Sequence, residues 1–255
     1  MSRVYAVEGV RRTIGGRTVL KSASVWASAG AVTVLLGRNG SGKSTLLRFG
    51  AGLAPADQGV VHFAGRAYMR PRLHRMAADG LFWLPDRGLL LPNRSIRQHL
   101  DALQWRFGPS AAEDDVLGLA ELMDRKPGTL SGGERRRAEV ALAIRRNPVC
   151  LLADEPLAGI APADQERLVA AFRALAARGC AVVITGHDVP ALFAVADEVV
   201  WLTAGTTHGL GSVSKAMEHE QFRREYLGIA RSGRGAGSLS RTTAAGATGC
   251  AEGPR

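Results

Sequence analysis

The sequence predicts an α/β fold built around a parallel β-sheet. Three short apolar runs support this, because continuous apolar runs of this length suit strands that are buried on both faces. They are residues 32–36, 149–153 and 181–185. Between the last two runs, residues 163–178 place apolar side chains at spacings of four and three, which predicts an amphipathic crossover helix.

Two further parts flank this predicted core. The first 30 residues alternate weakly between apolar and polar side chains and contain Gly15 and Gly16, which predicts an N-terminal antiparallel β layer. In the middle of the chain, Ser95 and Gln98 have the spacing of a capping box, and apolar residues follow at helical intervals. We therefore predict a helical subdomain, at about residues 87–145, inserted in the α/β core.

The remaining segments set the expected domain limits. A second helix-start signal, Ser110 followed by Glu113, precedes another apolar stripe and predicts a second helix in the inserted subdomain. From residue 231 onward the chain has almost no large apolar side chains, so we expect a disordered tail over residues 231–255. Residues 1–230 are predicted to form the folded domain.

Composition and charge exclude several classes of protein. The chain is 46% hydrophobic, as globular proteins are, yet no run approaches the roughly 18 apolar residues of a membrane span. We see no secretory signal, and Cys150, Cys180 and Cys250 do not form a disulfide framework, so we expect a cytoplasmic protein. The net charge is +10, but the basic residues are spread along the chain, so we expect no nucleic-acid partner.

A glycine-rich segment at residues 37–45 predicts a phosphate-binding loop and thus a P-loop NTPase core. It fits G-x-x-x-x-G-K-[ST] between a strand and a helix, where backbone N–H groups can surround an anion. We expect Lys43 to neutralise the β and γ phosphates of ATP and the Ser44 hydroxyl to ligate Mg²⁺. The expected nucleotide-binding residues of the loop are Gly37, Arg38, Asn39, Gly40, Ser41, Gly42, Lys43, Ser44 and Thr45.

Asp154 and Glu155 come directly after the predicted strand 149–153. Ligand sites in open α/β sheets lie at the carboxyl ends of the strands, where these side chains are expected. We expect Asp154 to hold Mg²⁺, directly or through water, and Glu155 to polarise the attacking water as a general base. Alone, such a pair is more typical of a solvated turn, but the phosphate loop in the same chain favours ATP hydrolysis.

Together with these motifs, the segment Leu130-Ser-Gly-Gly-Glu134 makes the chain resemble the ATP-binding cassette (ABC) family, from about residue 4 to residue 228. Ser131, Gly132 and Gly133 precede a predicted helix, whose free N–H groups suit a γ-phosphate. In the family that phosphate belongs to a partner subunit, because two cassettes sandwich two ATP molecules head to tail. His187 matches the family's switch histidine, which contacts the γ-phosphate.

The resemblance implies an ATPase subunit that powers a membrane transporter. Since no membrane helix is predicted, the transmembrane permease would be a separate chain, and this subunit would lie on the inner face of the cell membrane. The expected partners are that permease and a second ABC ATPase subunit, which would form either a homodimer or a heterodimer with this chain. Residues 130–137, 154–162 and 222–228 look like the branch that serves branched-chain amino acid import and lipopolysaccharide export.

Two other functions share the phosphate loop. A regulatory cassette that acts on ribosomes would carry two cassettes in one chain, and one that repairs DNA would carry long coiled coils; this sequence has neither. A P-loop kinase would transfer phosphate to a small molecule, and the Ser-Gly-Gly-Glu signature argues against it. Transport is therefore the favoured prediction.

Three positions depart from the family pattern. Asp86 stands where a glutamine is usual; it keeps an oxygen for Mg²⁺ but loses the amide donor, so we expect intact nucleotide binding and altered coupling or turnover. Ala161 replaces an aspartate that commonly links the two protomers, which predicts altered communication between the two sites. Ile14 replaces an aromatic residue that stacks on adenine, so we expect weak base discrimination.

Overall fold

The fold centres on one curled, mixed β-sheet in a computed structural model that describes residues 3–108 and 117–229. The strands within these ranges are β1 (Arg3–Ile14), β2 (Arg17–Ser28), β3 (Val32–Leu36), β4 (Gln58–Phe63), β5 (Arg66–Tyr68), β6 (Leu81–Leu84), β7 (Cys150–Ala153), β8 (Ala181–Gly186), β9 (Glu198–Thr203) and β10 (Thr206–Gly211). Their order across the sheet is β5-β4-β1-β2-β10-β9-β3-β8-β7-β6.

The helices fill the connections between these strands. In the described ranges they are α1 (Lys43–Gly50), α2 (Leu73–Ala78), α3 (Ile96–Phe107), α4 (Gly132–Arg146), α5 (Pro162–Ala177), α6 (Val189–Val195), α7 (Val213–Glu218) and α8 (Glu220–Phe222). A single π-helical turn, Arg223–Leu227, follows α8. None of the helices in residues 3–108 and 117–229 is long and apolar enough to cross a lipid bilayer.

The predicted parallel sheet is confirmed. Strands β6, β7, β8, β3 and β9 are neighbours, and each adjacent pair runs parallel. Val34 pairs with Ile184 on one side and with Val199 on the other. The apolar runs are buried on both faces: Val34 packs in the cluster that contains Phe172, whereas its neighbour Leu35 packs in a second cluster. The two apolar clusters therefore cover the parallel strands on both faces.

The predicted antiparallel layer at the N-terminus is also confirmed. β1 and β2 pair antiparallel around the turn at Gly15 and Gly16, whose φ angles of 56° and 80° suit glycine. β4 pairs with the other edge of β1, and β5 pairs with β4, again antiparallel. A parallel bridge between Thr206 of β10 and Ser22 of β2 joins this layer to the parallel strands.

Helical structure lies between β6 and β7, as the sequence predicted. Ser95 caps α3 in a capping box: its hydroxyl accepts the Gln98 N–H at 3.3 Å, and the Gln98 side chain accepts the Ser95 N–H at 3.0 Å. The helix start predicted at Ser110 and Glu113 lies outside the described residues, and the stripe after it includes a 3₁₀ turn at Ala120–Leu122. The subdomain limits stay a prediction, and the predicted disordered tail also lies outside the described residues.

Candidate functional site

The phosphate loop connects β3 to α1 at the carboxyl ends of the parallel strands. Two glycines are required by its turns. Gly42, at φ 104°, precedes α1, and a Cβ there would lie 2.8 Å from the Leu20 side chain. A Cβ on Gly37 would lie 2.7 Å from the Leu202 carbonyl oxygen. The loop is therefore confined between β2 and β9 before α1 begins.

Lys43 is buried across the base of this loop. Its Nζ donates to the carbonyl oxygens of Gly37 at 2.8 Å and Arg38 at 3.2 Å, and it lies 3.8 Å from Glu155 Oε1. Burial lowers the pKa of Lys43, while the negative charges of Glu155 and Asp154 oppose that shift. The Lys43 side chain is thus largely shielded from water at the edge of the cavity, where it could contact a phosphate group.

Asp154 follows β7 and is almost completely buried. Its Oδ1 accepts hydrogen bonds from the Ser44 hydroxyl at 2.9 Å and from the Thr185 hydroxyl at 2.7 Å. Hard oxygen atoms from a hydroxyl and one carboxylate are the protein ligands that Mg²⁺ takes at phosphate sites, where it keeps several waters. Ser44 and Asp154 therefore fit a magnesium ion.

Glu155 has an unusual backbone conformation for a non-glycine residue. Its φ is 45°, a strained region that costs about 1–3 kcal/mol and is concentrated at functional sites. Its N–H donates to the Thr185 hydroxyl at 2.9 Å, and its carboxylate lies 3.3 Å from His187 Nδ1. The strain is thus held by neighbouring contacts that direct the carboxylate toward Lys43.

Lys43, Ser44 and Glu155 meet at one cavity of about 300 Å³. Its lining consists of Val19, Asn39, Gly40, Gly42, Lys43, Ser44, Thr45 and Glu155. A lysine, a hydroxyl and a carboxylate around one opening can bind a polyphosphate and activate a water molecule beside it. The arrangement is suited to phosphoanhydride hydrolysis.

The signature segment forms the start of α4 on a different face. The Ser131 hydroxyl accepts the Glu134 N–H at 3.2 Å, and the Glu134 carboxylate accepts the Ser131 N–H at 2.7 Å. Gly133 packs against the carboxylate of Asp164, leaving no room for a side chain. Within the described residues, Ser131, Gly132 and Gly133 do not line the cavity at the phosphate loop. The signature segment and the phosphate loop therefore do not meet at that cavity in the described part of the chain.

Asp86 also stands apart from that cavity. It follows β6, and Arg136 of α4 holds its backbone by donating to the carbonyl oxygens of Pro85, at 2.7 Å, and of Asp86. Arg136 pairs with buried Glu139 at 2.9 Å. Asp86 itself is exposed and is not part of the cavity lining in the described residues.

The other two departures lie at the ends of elements. Ala161 is the N-cap of α5, and its methyl group cannot accept a hydrogen bond from the first turn. Ile14 is half exposed at the end of β1. Both side chains are accessible to a partner or a ligand.

Two features of the site were missed by the sequence reasoning. Thr185 bonds both Asp154 and Glu155. The signal in the sequence that could have indicated this role is a hydroxyl side chain near the end of an apolar strand. Arg38, expected only as a loop residue, also donates its guanidinium to the carbonyl oxygen of Glu225 at 2.9 Å. No local pattern links residues so far apart in the chain.

Comparison with known proteins gives a consistent result. A family model described as "ABC transporter" matches residues 20–158. A probable ABC transporter ATP-binding protein from Azorhizobium caulinodans is 33% identical over 232 residues, covering 88% of this chain and 82% of that protein. The lipopolysaccharide export system ATP-binding protein LptB of Escherichia coli K12 is 33% identical over 222 residues, covering 84% and 92%.

Solved structures show the same fold. The ADP conformation of an ATP-binding cassette of an ABC transporter has a TM-score of 0.76 at 23% identity, covering 90% of this chain and all of that one. A dimeric cassette in a post-hydrolysis state, bound to ADP and phosphate, has a TM-score of 0.68 at 21% identity, covering 81% of this chain and 98% of that one.

Proposed function

The chain belongs to the ABC transporter family, and we propose that Lys43, Ser44, Asp154 and Glu155 perform its chemistry. As a member, it is an ATP-binding and ATP-hydrolysing subunit that powers a transporter through a separate transmembrane partner. The observation that supports these four residues is the set of contacts that joins them at the phosphate loop: Ser44 to Asp154, Lys43 to Glu155, and Thr185 to both the Asp154 carboxylate and the Glu155 backbone N–H.

In the proposed mechanism Glu155 takes the proton of the attacking water. His187, 3.3 Å from the same carboxylate, orients it and contacts the γ-phosphate. Lys43 neutralises charge on the β and γ phosphates as the bond to the leaving group breaks. Ser44 and Asp154 would hold Mg²⁺, which would supply further charge neutralisation when bound.

A second copy of this chain is proposed to complete each site. The signature residues Ser131, Gly132 and Gly133 lie at a helix N-terminus that is suited to an anion, yet they do not line the cavity in the described part of the chain. In a two-fold symmetric dimer, the signature of each copy would lie against the phosphate loop of the other copy. Each copy would then complete the nucleotide site of its partner. We place this pair at the inner face of the cell membrane, bound to its permease, with no nucleic-acid partner.

Replacing the proposed base tests the assignment. Glu155→Gln should lower the ATPase rate by about 10²- to 10⁴-fold, the usual contribution of a general base. ATP affinity should stay within about threefold, because the phosphate contacts of Lys43 and Ser44 remain. The measurements are phosphate release and ATP titration on the full chain.

Glu166→Gln, on the exposed face of α5, is the matched control and should retain the wild-type rate. If Glu155→Gln hydrolysed ATP at the wild-type rate, Glu155 would not be the base. Copurification with a polytopic membrane protein would support the proposed partner, whereas co-sedimentation with ribosomes would contradict it.

A further inference from the structure

The C-terminal turn lies against the start of the phosphate loop. Arg38 Nη2 donates to the carbonyl oxygen of Glu225, in the π-helical turn Arg223–Leu227, at 2.9 Å. Single π-helical turns are rare, and they are frequent at functional sites. The contact therefore joins two distant segments at a position next to the nucleotide cavity.

A row of aromatic rings fixes this turn to the sheet. Tyr226 stacks on Phe222 with ring centroids 5.3 Å apart, and Phe222 meets Trp201 edge to face at 5.5 Å. Trp201 belongs to β9, where it pairs with Leu36, the last residue before the phosphate loop. Because Phe222 is fully buried, the row is part of the core. The turn is thus anchored beside the loop by packing.

The ring of Tyr226, more than its hydroxyl, makes this anchor. The hydroxyl oxygen is buried and makes no hydrogen bond of standard geometry within the described residues. Burial raises the pKa of Tyr226, while the nearby backbone N–H of Gly37 opposes that shift. Removing a hydroxyl that makes no well-formed hydrogen bond costs little, whereas removing the stacked ring removes the packing.

The phosphate loop connects the anchored turn to Lys43. Arg38 contacts the turn through its guanidinium, and its backbone carbonyl accepts a hydrogen bond from Lys43 Nζ at 3.2 Å. Gly37, beside it, accepts the other Lys43 bond at 2.8 Å. A shift of these two carbonyl groups would therefore displace the ammonium group.

We propose that Tyr226 and Arg38 are positioning residues that hold the phosphate loop in its nucleotide-binding shape, so that the C-terminal turn sets the affinity for ATP. The proposal rests on the proposed function of Lys43 at the same site. It assigns to the turn an effect on binding and not on the chemical step.

The test uses the full chain with Tyr226→Leu, which removes the ring, and Arg38→Met, which removes the donor and keeps the stem. Each change should raise KM for ATP and Kd for ADP at least about fivefold, with kcat at saturation within about twofold. Tyr226→Phe keeps the ring, so its KM for ATP and its Kd for ADP should equal those of the wild type. The double variant Tyr226→Leu, Arg38→Met should lose less than the product of the single effects, because both changes loosen the same link between the turn and the phosphate loop.

Gln221→Ala is the matched control: Gln221 bonds the Glu225 side chain at 3.2 Å on the exposed side of the same segment, and KM should not change. The proposal is overturned if Tyr226→Leu and Arg38→Met leave KM unchanged, or if their effects multiply. Should Tyr226→Leu fail to fold, Arg38→Met decides alone, since it leaves the rings packed. A wild-type chain without ATPase activity would instead refute the proposed function.

Discussion

The nucleotide cavity and the signature face differ in how much of their geometry the chain builds for itself. At the phosphate loop, buried Lys43 is bonded to Gly37 of the loop, and buried Asp154 is bonded to Ser44 of α1 and to Thr185 of β8. On the other face, Ser131 and Asp86 are exposed. The comparison teaches that the residues proposed to bind phosphate are held by contacts within one chain, whereas the residues proposed to meet a partner are left exposed.

The largest effect is expected from the buried contacts of Thr185 behind the cavity, and their loss would break this comparison. Thr185→Val keeps the side-chain shape but removes the hydroxyl that joins Asp154 and Glu155. We expect the ATPase rate to fall about 10- to 100-fold, as is usual when a partner of a metal ligand is lost. Steady-state phosphate release measures the change.

Thr33→Val is its matched control, because Thr33 is buried in the neighbouring strand β3 and its hydroxyl has no partner in the described part of the chain. That variant should keep its activity and its stability. If both variants lost the same fraction of their ATPase rate, the loss would come from exchanging a buried threonine for valine and not from the hydrogen bonds of the Thr185 hydroxyl.

A smaller effect is expected on the open face. Asp86→Gln restores the amide donor that the family usually has, without touching the cavity lining. ATP affinity should change by less than about twofold, while basal or permease-stimulated ATPase should change about three- to tenfold. Both rates are measured, with and without the permease. Two unchanged rates would contradict a coupling role for Asp86.

The smallest effect concerns Ala161, the uncapped start of α5. Ala161→Asp supplies an N-cap worth about 0.5–2 kcal/mol, so Tm should rise by about 2–4 °C per kcal/mol gained. It should also change the Hill coefficient for ATP, because it restores a polar group between protomers.

Ala161→Asn separates these two expectations. Asparagine caps the helix equally well and should raise Tm without the carboxylate. An unchanged Hill coefficient in Ala161→Asp would refute the link between protomers, and an unchanged Tm in both variants would refute the missing cap.

The parts of the molecule that were predictable are those with local signals. The strand β3, the glycine-rich turn and α1 are contiguous, so sequence spacing alone placed Lys43 and Ser44 at a strand end. Asp154 and Glu155 follow β7 for the same reason. The parallel part of the sheet followed from continuous apolar runs, and the antiparallel part followed from a weak apolar–polar alternation around Gly15 and Gly16.

The rest depends on contacts between distant segments. Arg38 and Glu225 are 187 positions apart, and no local sequence pattern in either segment predicts their contact. The predicted stripe after Ser110 has helical spacing, yet its described part contains a 3₁₀ turn at Ala120–Leu122. Short apolar spacing cannot distinguish these helix types, because packing decides between them.

The central claim is that the phosphate loop of one copy works with the signature of another. Lys43→Ala disables the loop. Gly132→Asp places a carboxylate where the partner's γ-phosphate would bind, and the fold can accept it because no atom lies within 4 Å of a Cβ at Gly132. Each variant alone should be inactive.

The most direct measurement is the ATPase rate of an equal mixture of these two variants. Random pairing would make half of the dimers mixed, each with one intact site, so we predict about a quarter of the wild-type rate. A mixture that stays inactive while forming dimers, or a Gly132→Asp variant that is active alone, would contradict the shared site.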